Sequence, residues 1–187
     1  TRLFRNRVID NDTPNFAPPG NIVASVPVGT GIMVMANRNV HVFDNEVAGN
    51  ASAAFMVIAY SQGFDSPGYN PLPRDVVVRD NRLGKNGFAP AFPGGAEVAS
   101  AVGGPLPPGL WDGVTGWKAG DRTVSEAVDI WFVDTPALTL GLGLAGAPPT
   151  AARPAPFTGS SAPAPAPPAP VVLPSDQPGL GGGGRRG

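Results

Sequence analysis

A short motif recurs three times in the first half of the chain and constrains the fold more than any other feature. Apolar residues alternate with other residues and then meet an Asp-Asn pair, in NRVIDND (6–12), NVHVFDNEV (39–47) and RDVVVRDNRL (74–83). Alternation is typical of a strand with one buried face, whereas Asp-Asn favours turns. Each copy therefore predicts a short strand that ends at a bend.

A second repeat lies between these copies and sets the length of the unit. GIMVMA (31–36) aligns with the end of AAFMVIA (53–59) at a spacing of 23 residues, if Ile32 is matched to Phe55. Loops rich in Pro, Gly and Asn, inserted within 13–31 and 61–74, extend this unit to the longer spacing of the Asp-Asn motifs. Repeats of this length, made of short strands, predict an all-β parallel solenoid of about three coils over residues 1–90.

Asparagines at the bends predict a stabilising ladder. Asn11, Asn45 and Asn81 are separated by 34 and 36 positions. Asn tolerates the left-handed conformation that such bends need, and its amide can bond to the next coil, about 4.8 Å away. The alternation assigns His41, Phe43 and Glu46 to the outside. It assigns to the inside Val8, Val40, Val42, Val47, Val76, Val78 and Leu83.

The motifs also resemble a known family. DNEVAGN, AAFMVIAY and YNPLPRDVVVRDNRLGKNG are similar to the bacterial right-handed parallel β-helix repeat family, and more narrowly to an exported group often encoded beside a c-type-cytochrome-like partner. LPPGLWDGVTG (106–116) and VDIWFVDTPALTL (128–140) resemble the C-terminal end of that group, so the resemblance covers roughly residues 1–144. It implies a right-handed β-helix and export. The cysteine-containing strand usual in the group is missing here, so no role of that cysteine is transferred.

Residues 91–144 predict a loop followed by closing strands that cap the solenoid. FAPAFPGGAEVASAVGGPLPPG (88–109) has little periodicity, whereas residues 127–134 indicate a strand with Val128, Ile130 and Phe132 on one face. Trp111 and Trp117 are candidate ligand-binding residues, because indole faces can stack on sugar rings. Alternatively, they seal the open end of the core, since large aromatic side chains bury much area.

Residues 145–187 predict a disordered tail. The chain has 26 glycines and 24 prolines, and many of them fall in this segment beside a single aromatic residue, Phe157. Such a composition buries too little apolar surface to offset the entropy of ordering. The tail is either a spacer or stalk or an untethered segment, with polyproline character in its middle.

Composition excludes several classes of chemistry. The chain has no cysteine, which removes disulfides and thiol nucleophiles, and only one histidine, His41, predicted at the surface and kept as a ligand-binding candidate. Charged residues make up 14% with a net charge of −1, so no nucleic-acid partner is expected. No apolar run approaches the roughly 18 residues of a membrane span. No metal site is predicted, since one histidine leaves only carboxylates.

The carboxylates of the motif are the alternative catalytic candidates. Asp10, Asp44 and Asp80 precede the ladder asparagines, and stacking would set them about 5 Å apart, the separation used by retaining glycosidases. With Arg79 they suggest a polysaccharide lyase or epimerase-like enzyme, and Arg38 and Arg74 are further basic candidates. Such a row could also hold Ca²⁺. The competing interpretation is that each Asp bonds the amides of its own bend.

These observations favour an exported, non-catalytic binding or scaffold module over the enzyme. We expect it in the periplasm, at the cell surface or outside the cell, in contact with a polysaccharide or an envelope protein. No cofactor is expected. Because the chain starts inside the first predicted coil, we also expect further repeats or a cap on its N-terminal side.

Overall fold

Short β-strands and one α-helix make up most of the regular structure of this computed structural model, which describes residues 1–60, 62, 66, 68–170 and 172. The helix α1 spans Gly95–Ala101, and single 3₁₀ turns span Ile22–Ser25 and Pro149–Ala151. The strands in chain order are β1 (Arg2–Phe4), β2 (Arg7–Ile9), β3 (Thr30–Met35), β4 (Arg38–Phe43), β5 (Glu46–Ala48), β6 (Ala53–Ile58), β7 (Arg74–Arg79), β8 (Arg82–Leu83), β9 (Gly109–Trp111), β10 (Val114–Ala119), β11 (Arg122–Ser125), β12 (Ile130–Phe132), β13 (Ala137–Thr139), β14 (Gly143–Leu144) and β15 (Ala155–Phe157).

These strands form four open sheets in which parallel pairing dominates. Sheet 1 has the order β1-β4-β7-β12 and sheet 2 the order β2-β5-β8, both parallel throughout. Sheet 3 has the order β15-β13-β9-β6-β3, and sheet 4 the order β11-β10-β14. The chain visits sheets 1, 2 and 3 in that order three times, and a fourth visit joins β12 to sheet 1 and β13 to sheet 3. The all-β class predicted from the sequence is confirmed.

Strand register confirms the shorter repeat. Ile32 pairs with Phe55 and Val34 with Val57, which are the partners predicted from the 23-residue spacing. The predicted inward positions also hold, because alternation directs one set of side chains from sheets 1, 2 and 3 into a common core. The predicted inward residues Val40, Val42, Val47, Val76 and Val78 are buried in this core, with Val8 and Leu83 packed against it. Ile130 and Phe132 belong to the same core, with Val128 against it, as predicted for the closing strand.

The asparagine ladder exists, but Asn11 is not in the ladder of Asn45 and Asn81. Asn45 lies between Asn6 and Asn81, whereas Asn11 bonds to Asn50, which in turn bonds to Asn86. Each visit to sheets 1 and 2 has two asparagine bends, five residues apart, and the first visit is offset from the second by 39 residues rather than 34. The prediction matched the second bend of one visit to the first bend of the next.

Helix α1 lies where the sequence predicted a loop. Its Val98 packs with Met56, Leu110 and Leu138 on the face of sheet 3 that points away from the common core. The segment is short and rich in Ala and Gly, so no helical periodicity is visible in the sequence. Within the described residues no helix is long and apolar enough to cross a membrane.

The predicted disordered tail is wrong for its first part. Strand β15 pairs antiparallel with β13, so that Phe157 lies opposite Ala137. The Phe157 ring contacts Trp111, with centroids 4.7 Å apart, and Phe132 edge-on at 6.1 Å. Phe157 thereby packs against the common core at the end of sheet 3, next to β13, which is the last parallel strand of that sheet. Most of the remaining predicted tail, 171 and 173–187, lies outside the described residues.

Candidate functional site

The outward face of sheet 1 carries two rows of side chains that cross its strands. Because the residues beside them point into the core, alternation directs these side chains outward. The first row is Arg2, His41, Val77 and Trp131, and the second is Phe4, Phe43 and Arg79, as set by the strand register. We call these seven residues the outer face. They come from four strands that are far apart in sequence.

Aromatic rings and guanidinium groups lie together at the β1 end of the outer face. The rings of Phe4 and Phe43 stack in parallel with centroids 5.2 Å apart. The Arg2 guanidinium lies 4.9 Å from the Phe4 centroid and 5.4 Å from that of Phe43, within the range of a cation–π contact. Phe4 is nevertheless 37% exposed. This end of the outer face therefore presents a pair of stacked aromatic rings beside positive charge.

A segment from the predicted tail crosses the other end. The indole Nε1 of Trp131 donates a 2.6 Å hydrogen bond to the carbonyl oxygen of Ala162, and Nη2 of Arg79 donates one of 3.0 Å to that of Pro165. Ser160 fixes the start of the segment, since its amide bonds to the Ile130 carbonyl and its hydroxyl to Asp129. We call residues 160–165 the strap. The tail thus makes specific contacts with the sheet rather than none.

Burial in the first row shows that this face is covered. Val77 lies between His41 and Trp131 in register and is fully buried, although its side chain points away from the core. The strap bonds to Trp131, the neighbour of Val77 in the same row, and to Arg79, two residues along the same strand. The strap is therefore anchored at two positions next to Val77.

His41 is buried, at 6% exposure, whereas the sequence predicted a surface residue. Burial lowers its pKa, and the nearby charges of Arg79, the chain amino terminus and Arg2 lower it further. Its Nδ1 has no hydrogen-bond partner among the described residues. The cause of the wrong prediction is that the sequence around His41 contains no information about what covers the sheet. His41 is still part of the outer face, but as a neutral, enclosed side chain.

The structure does not form the predicted row of Asp10, Asp44 and Asp80. Arg5, rather than Asp10, occupies the bend above Asp44, because the Arg5 amide bonds to the Asp44 carbonyl and the Asp44 amide to that of Asp80. Asp10 lies at the other bend, where its amide bonds to the Ala48 carbonyl. Arg5, Asp44 and Asp80 share a left-handed backbone, with φ of 57°, 54° and 52°. Short polar residues such as Asp tolerate this region, so these positions are explained by the bend itself.

The Asp44 carboxylate is paired with arginines. Its oxygens lie 3.1 Å from Nε of Arg5 and 3.9 Å from Nη1 of Arg82. On the adjoining face of sheet 2, Glu46 pairs with Arg7 at 3.2 Å and with the same Arg82 at 3.9 Å. These groups are exposed, so each pair contributes little to stability, about 0–1 kcal/mol. The arrangement is an alternating ladder of charge along the stacked strands.

The three basic candidates, Arg38, Arg74 and Arg79, have neighbours other than these carboxylates. Arg79 binds the strap, and Arg74 makes a 2.6 Å ion pair with Glu126. Arg38 is the register partner of Arg74. No contact between these arginines and Asp44 or Asp80 defines an acid–base pair within the described residues. Asp44 and Asp80 are the predicted candidates that the structure brings together, through the backbone of neighbouring bends.

Neither predicted tryptophan is a surface stacking platform. Trp111 is 9% exposed and lies in the common core beside Phe157, which agrees with the alternative that it seals the end of the core. Trp117 is 7% exposed and packs with Leu72 and Val114. Trp117 also borders a cleft of about 90 Å³ with Tyr60, Tyr69 and Lys118. That volume is far below the roughly 300 Å³ at which ligand pockets begin.

Sequence reasoning missed four residues that matter here. Trp131 is the outward residue of IWF, and alternation alone could have identified it. Asp134 and Thr135 form a fourth copy of the Asp-Asn bend. Asp134 has a φ of 52°. It also aligns with Asp80, because Phe132 pairs with Val78 and each Asp follows two residues later. The signal was the motif IWFVDT, with Thr in place of Asn. Asp112 has no repeat pattern that identifies it.

Asp112 is a buried carboxylate with a structural set of contacts. Its oxygens accept the Ala59 amide at 2.6 Å and the Val114 amide at 3.1 Å. Burial raises its pKa to about 6, although the two amide hydrogen bonds act in the opposite direction. Raised pKa values are common in active sites, but here one carboxylate oxygen bonds to the backbone amide of Val114 at the start of β10, and the other bonds to that of Ala59 just after β6. We therefore assign Asp112 to the fold.

Two further features bear on bound groups. The described residues contain no cluster of three or more His, Asp or Glu side chains able to hold a metal ion, so the Ca²⁺ hypothesis gains no support and stays a prediction. A cavity of about 370 Å³ lies between α1 and the Pro149–Ala151 turn, lined by Val98, Ala101 and Pro154, with Glu97 at its side. Few polar groups converge in it.

No family model matches this chain, and neither the curated proteins nor the solved structures contain a match.

Proposed function

We propose that this chain is an exported, non-catalytic binding or scaffold module built on a right-handed parallel β-helix. The repeated order of sheets 1, 2 and 3, the parallel pairing and the two asparagine ladders support stacked coils. The handedness and export follow from the resemblance to the β-helix repeat family. A periplasmic or cell-surface location remains part of this proposal.

The observation that carries the binding role is the outer face with its bound strap. Trp131 and Arg79 direct side-chain donors outward and hold main-chain carbonyls of another segment. Aromatic and guanidinium groups of this kind are enriched where proteins bind partners. The Asp44 carboxylate, in contrast, is paired with Arg5, and both residues serve the bend. The same face suits a protein partner or a polysaccharide.

Stacking can be tested by cross-linking, because the natural chain has no cysteine. Glu46 and Arg82 are register partners on sheet 2. The double variant Glu46→Cys/Arg82→Cys should form an intramolecular cross-link with a short bis-maleimide, which adds one thiol at each end, and the product is detected by mass spectrometry. The two single variants are the controls. Failure of the double variant to react within one chain would reject the stacked arrangement.

Catalysis can be tested separately with Asp44→Asn and Asp80→Asn. Polygalacturonate and alginate are the probes, with and without Ca²⁺, and turnover is followed by the absorbance of unsaturated product or by reducing ends. We expect no turnover by the natural chain. Turnover that is lost in Asp44→Asn would reject the module and support the lyase or epimerase-like alternative, because Asn cannot exchange a proton.

A further inference from the structure

We infer that the outer face is a recognition surface for proline-rich peptides in the polyproline II conformation, and that the strap occupies this surface within the same chain. The inference rests on the proposed binding role and specifies its ligand. The known segment on the surface is Pro-Ala-rich, continuing as APAPAPPAP over 162–170. Peptides of this composition adopt polyproline II because proline fixes φ near −65°.

The hydrogen-bond spacing fits that conformation. The two strap carbonyls that accept side-chain bonds belong to Ala162 and Pro165, which are three residues apart. Polyproline II has three residues per turn, so these carbonyls point to the same side. Proline has no amide hydrogen, so carbonyl acceptors outnumber amide donors on the main chain of such a peptide.

The spacing of the donors on the sheet matches as well. Trp131 is in register with Val77, and Arg79 lies two residues further along the neighbouring strand. Strands are about 4.8 Å apart and two residues extend about 6.7 Å, which places the two positions roughly 8 Å apart. One polyproline II turn rises about 9 Å. The sheet geometry thus presents donors at nearly the repeat of the peptide.

The outer face continues beyond the donors. Phe43 is the register partner of Arg79, and Phe4 is that of Phe43. Their stacked rings follow Arg79 in the second row, where aromatic side chains are within reach of the proline rings of a bound peptide. Grooves lined by aromatic side chains are the common way in which proteins bind proline-rich segments.

The strap acts as a competitor for any other such peptide. Gly159, with φ of +88°, redirects the chain from β15, and Ser160 then fixes the strap to Asp129. A segment tethered this closely has an effective concentration in the millimolar range. Because the face bonds to main-chain carbonyls, a proline-rich peptide from a second molecule can make the same two bonds once the strap is weakened.

The test uses the full-length chain and a labelled peptide of residues 160–170, SSAPAPAPPAP. The strap variant Pro163→Gly/Pro165→Gly/Pro167→Gly/Pro168→Gly keeps the length and the β15 attachment but removes the polyproline preference. Binding is followed by fluorescence anisotropy, with the peptide SSAGAGAGGAG as the control. Circular dichroism of each variant confirms that it is folded.

We expect the strap variant to bind the proline peptide at least about tenfold more tightly than the natural chain, because the tethered competitor is weakened. Adding Trp131→Phe to the strap variant keeps an aromatic ring and removes the donor, and should weaken binding about threefold to tenfold. Arg79→Gln, tested in the same background, should also weaken it.

Several results would overturn the inference. The first is equal affinity of the natural chain and the strap variant for the proline peptide, and the second is no binding of that peptide by the strap variant up to millimolar concentration. The third is equal affinity of the strap variant for the proline peptide and the glycine control peptide. The fourth is an affinity for the proline peptide that neither Trp131→Phe nor Arg79→Gln changes. None of them depends on polysaccharide turnover or cross-linking, so the proposed module can survive failure of this inference. Turnover of a polysaccharide would reject the non-catalytic module, whereas the peptide-binding measurements alone decide whether the outer face binds proline-rich peptides.

Discussion

Asn45 and Asn81 lie on neighbouring bends, with Nδ2 of Asn45 2.9 Å from Oδ1 of Asn81. Asn45 is fully buried and its Nδ2 also lies 3.0 Å from the carbonyl oxygen of Leu3 and of Phe43. Its own Oδ1 accepts from Asn6. One amide side chain therefore joins three successive visits of the chain to sheets 1 and 2.

The first prediction is that Asn45→Ala strongly destabilises the protein. A buried polar group left without its partner costs about 1–3 kcal/mol, and this change leaves several such groups, so we expect a loss of at least about 2 kcal/mol. Asp44→Asn is the matched control, because it removes only exposed ion pairs and keeps a residue that tolerates the left-handed bend; we expect less than about 1 kcal/mol. Urea unfolding measures both. A larger effect of Asp44→Asn would contradict the structural role of the ladder.

The second prediction concerns Phe157 in strand β15. Phe157→Ala should lower the free energy of unfolding by about 2 kcal/mol, because the ring packs against Trp111 and Phe132. For a chain of this size, that corresponds to a fall in Tm of roughly 4–8 °C. Phe16→Ala is the control, since Phe16 is 91% exposed and its loss should leave Tm unchanged. Equal Tm values for the two variants would show that β15 does not contribute to stability.

The third prediction is an acid dependence that arises from Asp112. Its pKa is about 6 in the folded protein, against an ordinary value of 3.8, so between these values the folded state binds the proton and the unfolded state does not. Its contribution to stability therefore rises as pH falls from 7, by about 2–3 kcal/mol at pH 4. We expect the natural chain to gain stability relative to Asp112→Asn over this range. A difference in unfolding free energy between the two proteins that stays constant from pH 7 to pH 4 would contradict it.

The fourth prediction is the opposite dependence at His41. Its folded pKa is below the ordinary value of 6.5, so the unfolded state takes up the proton first as pH falls. Stability should decrease relative to His41→Gln from about pH 7 downward and level off below the folded pKa. Arg2, Arg79 and the chain amino terminus face the ring and add to the effect. Urea midpoints at pH 7.5, 6.5 and 5.5 measure it, and a constant difference between the two proteins would exclude protonation of His41.

Local alternation predicted the core but not the covering of the outer face. Val42, Val76 and Val78 are buried where their alternation placed them, because a strand with one buried face leaves a period-two pattern in its own sequence. His41 and Val77 obey the same alternation, yet both are buried on the outside. The strap begins some 80 to 120 residues further along the chain, and no local pattern encodes where it lies on the sheet.

The error in the ladder has a different physical cause. Two asparagines five residues apart occur in each of the first three visits, at Asn6 and Asn11, Asn45 and Asn50, and Asn81 and Asn86. The sequence fits either pairing nearly as well, and the length of the loop within 13–31 decides between them. Strand register is set by the buried faces of all three sheets together, which a single motif does not reveal. For the same reason Asp10 was aligned with Asp44.

The parallel pairing has a consequence for how the chain folds. Each strand of sheet 1 meets a neighbour 36 to 54 residues away, as in the pairs of Val40 with Val76 and Val76 with Ile130. Contacts so distant along the chain require large loops to close before any of them stabilises the structure, which slows folding to the millisecond-to-second range. During synthesis, β4 has no downstream partner until β7 emerges from the ribosome. An unpaired strand edge is then exposed at every stage, and early stretches of the nascent chain depend on later ones for protection from aggregation.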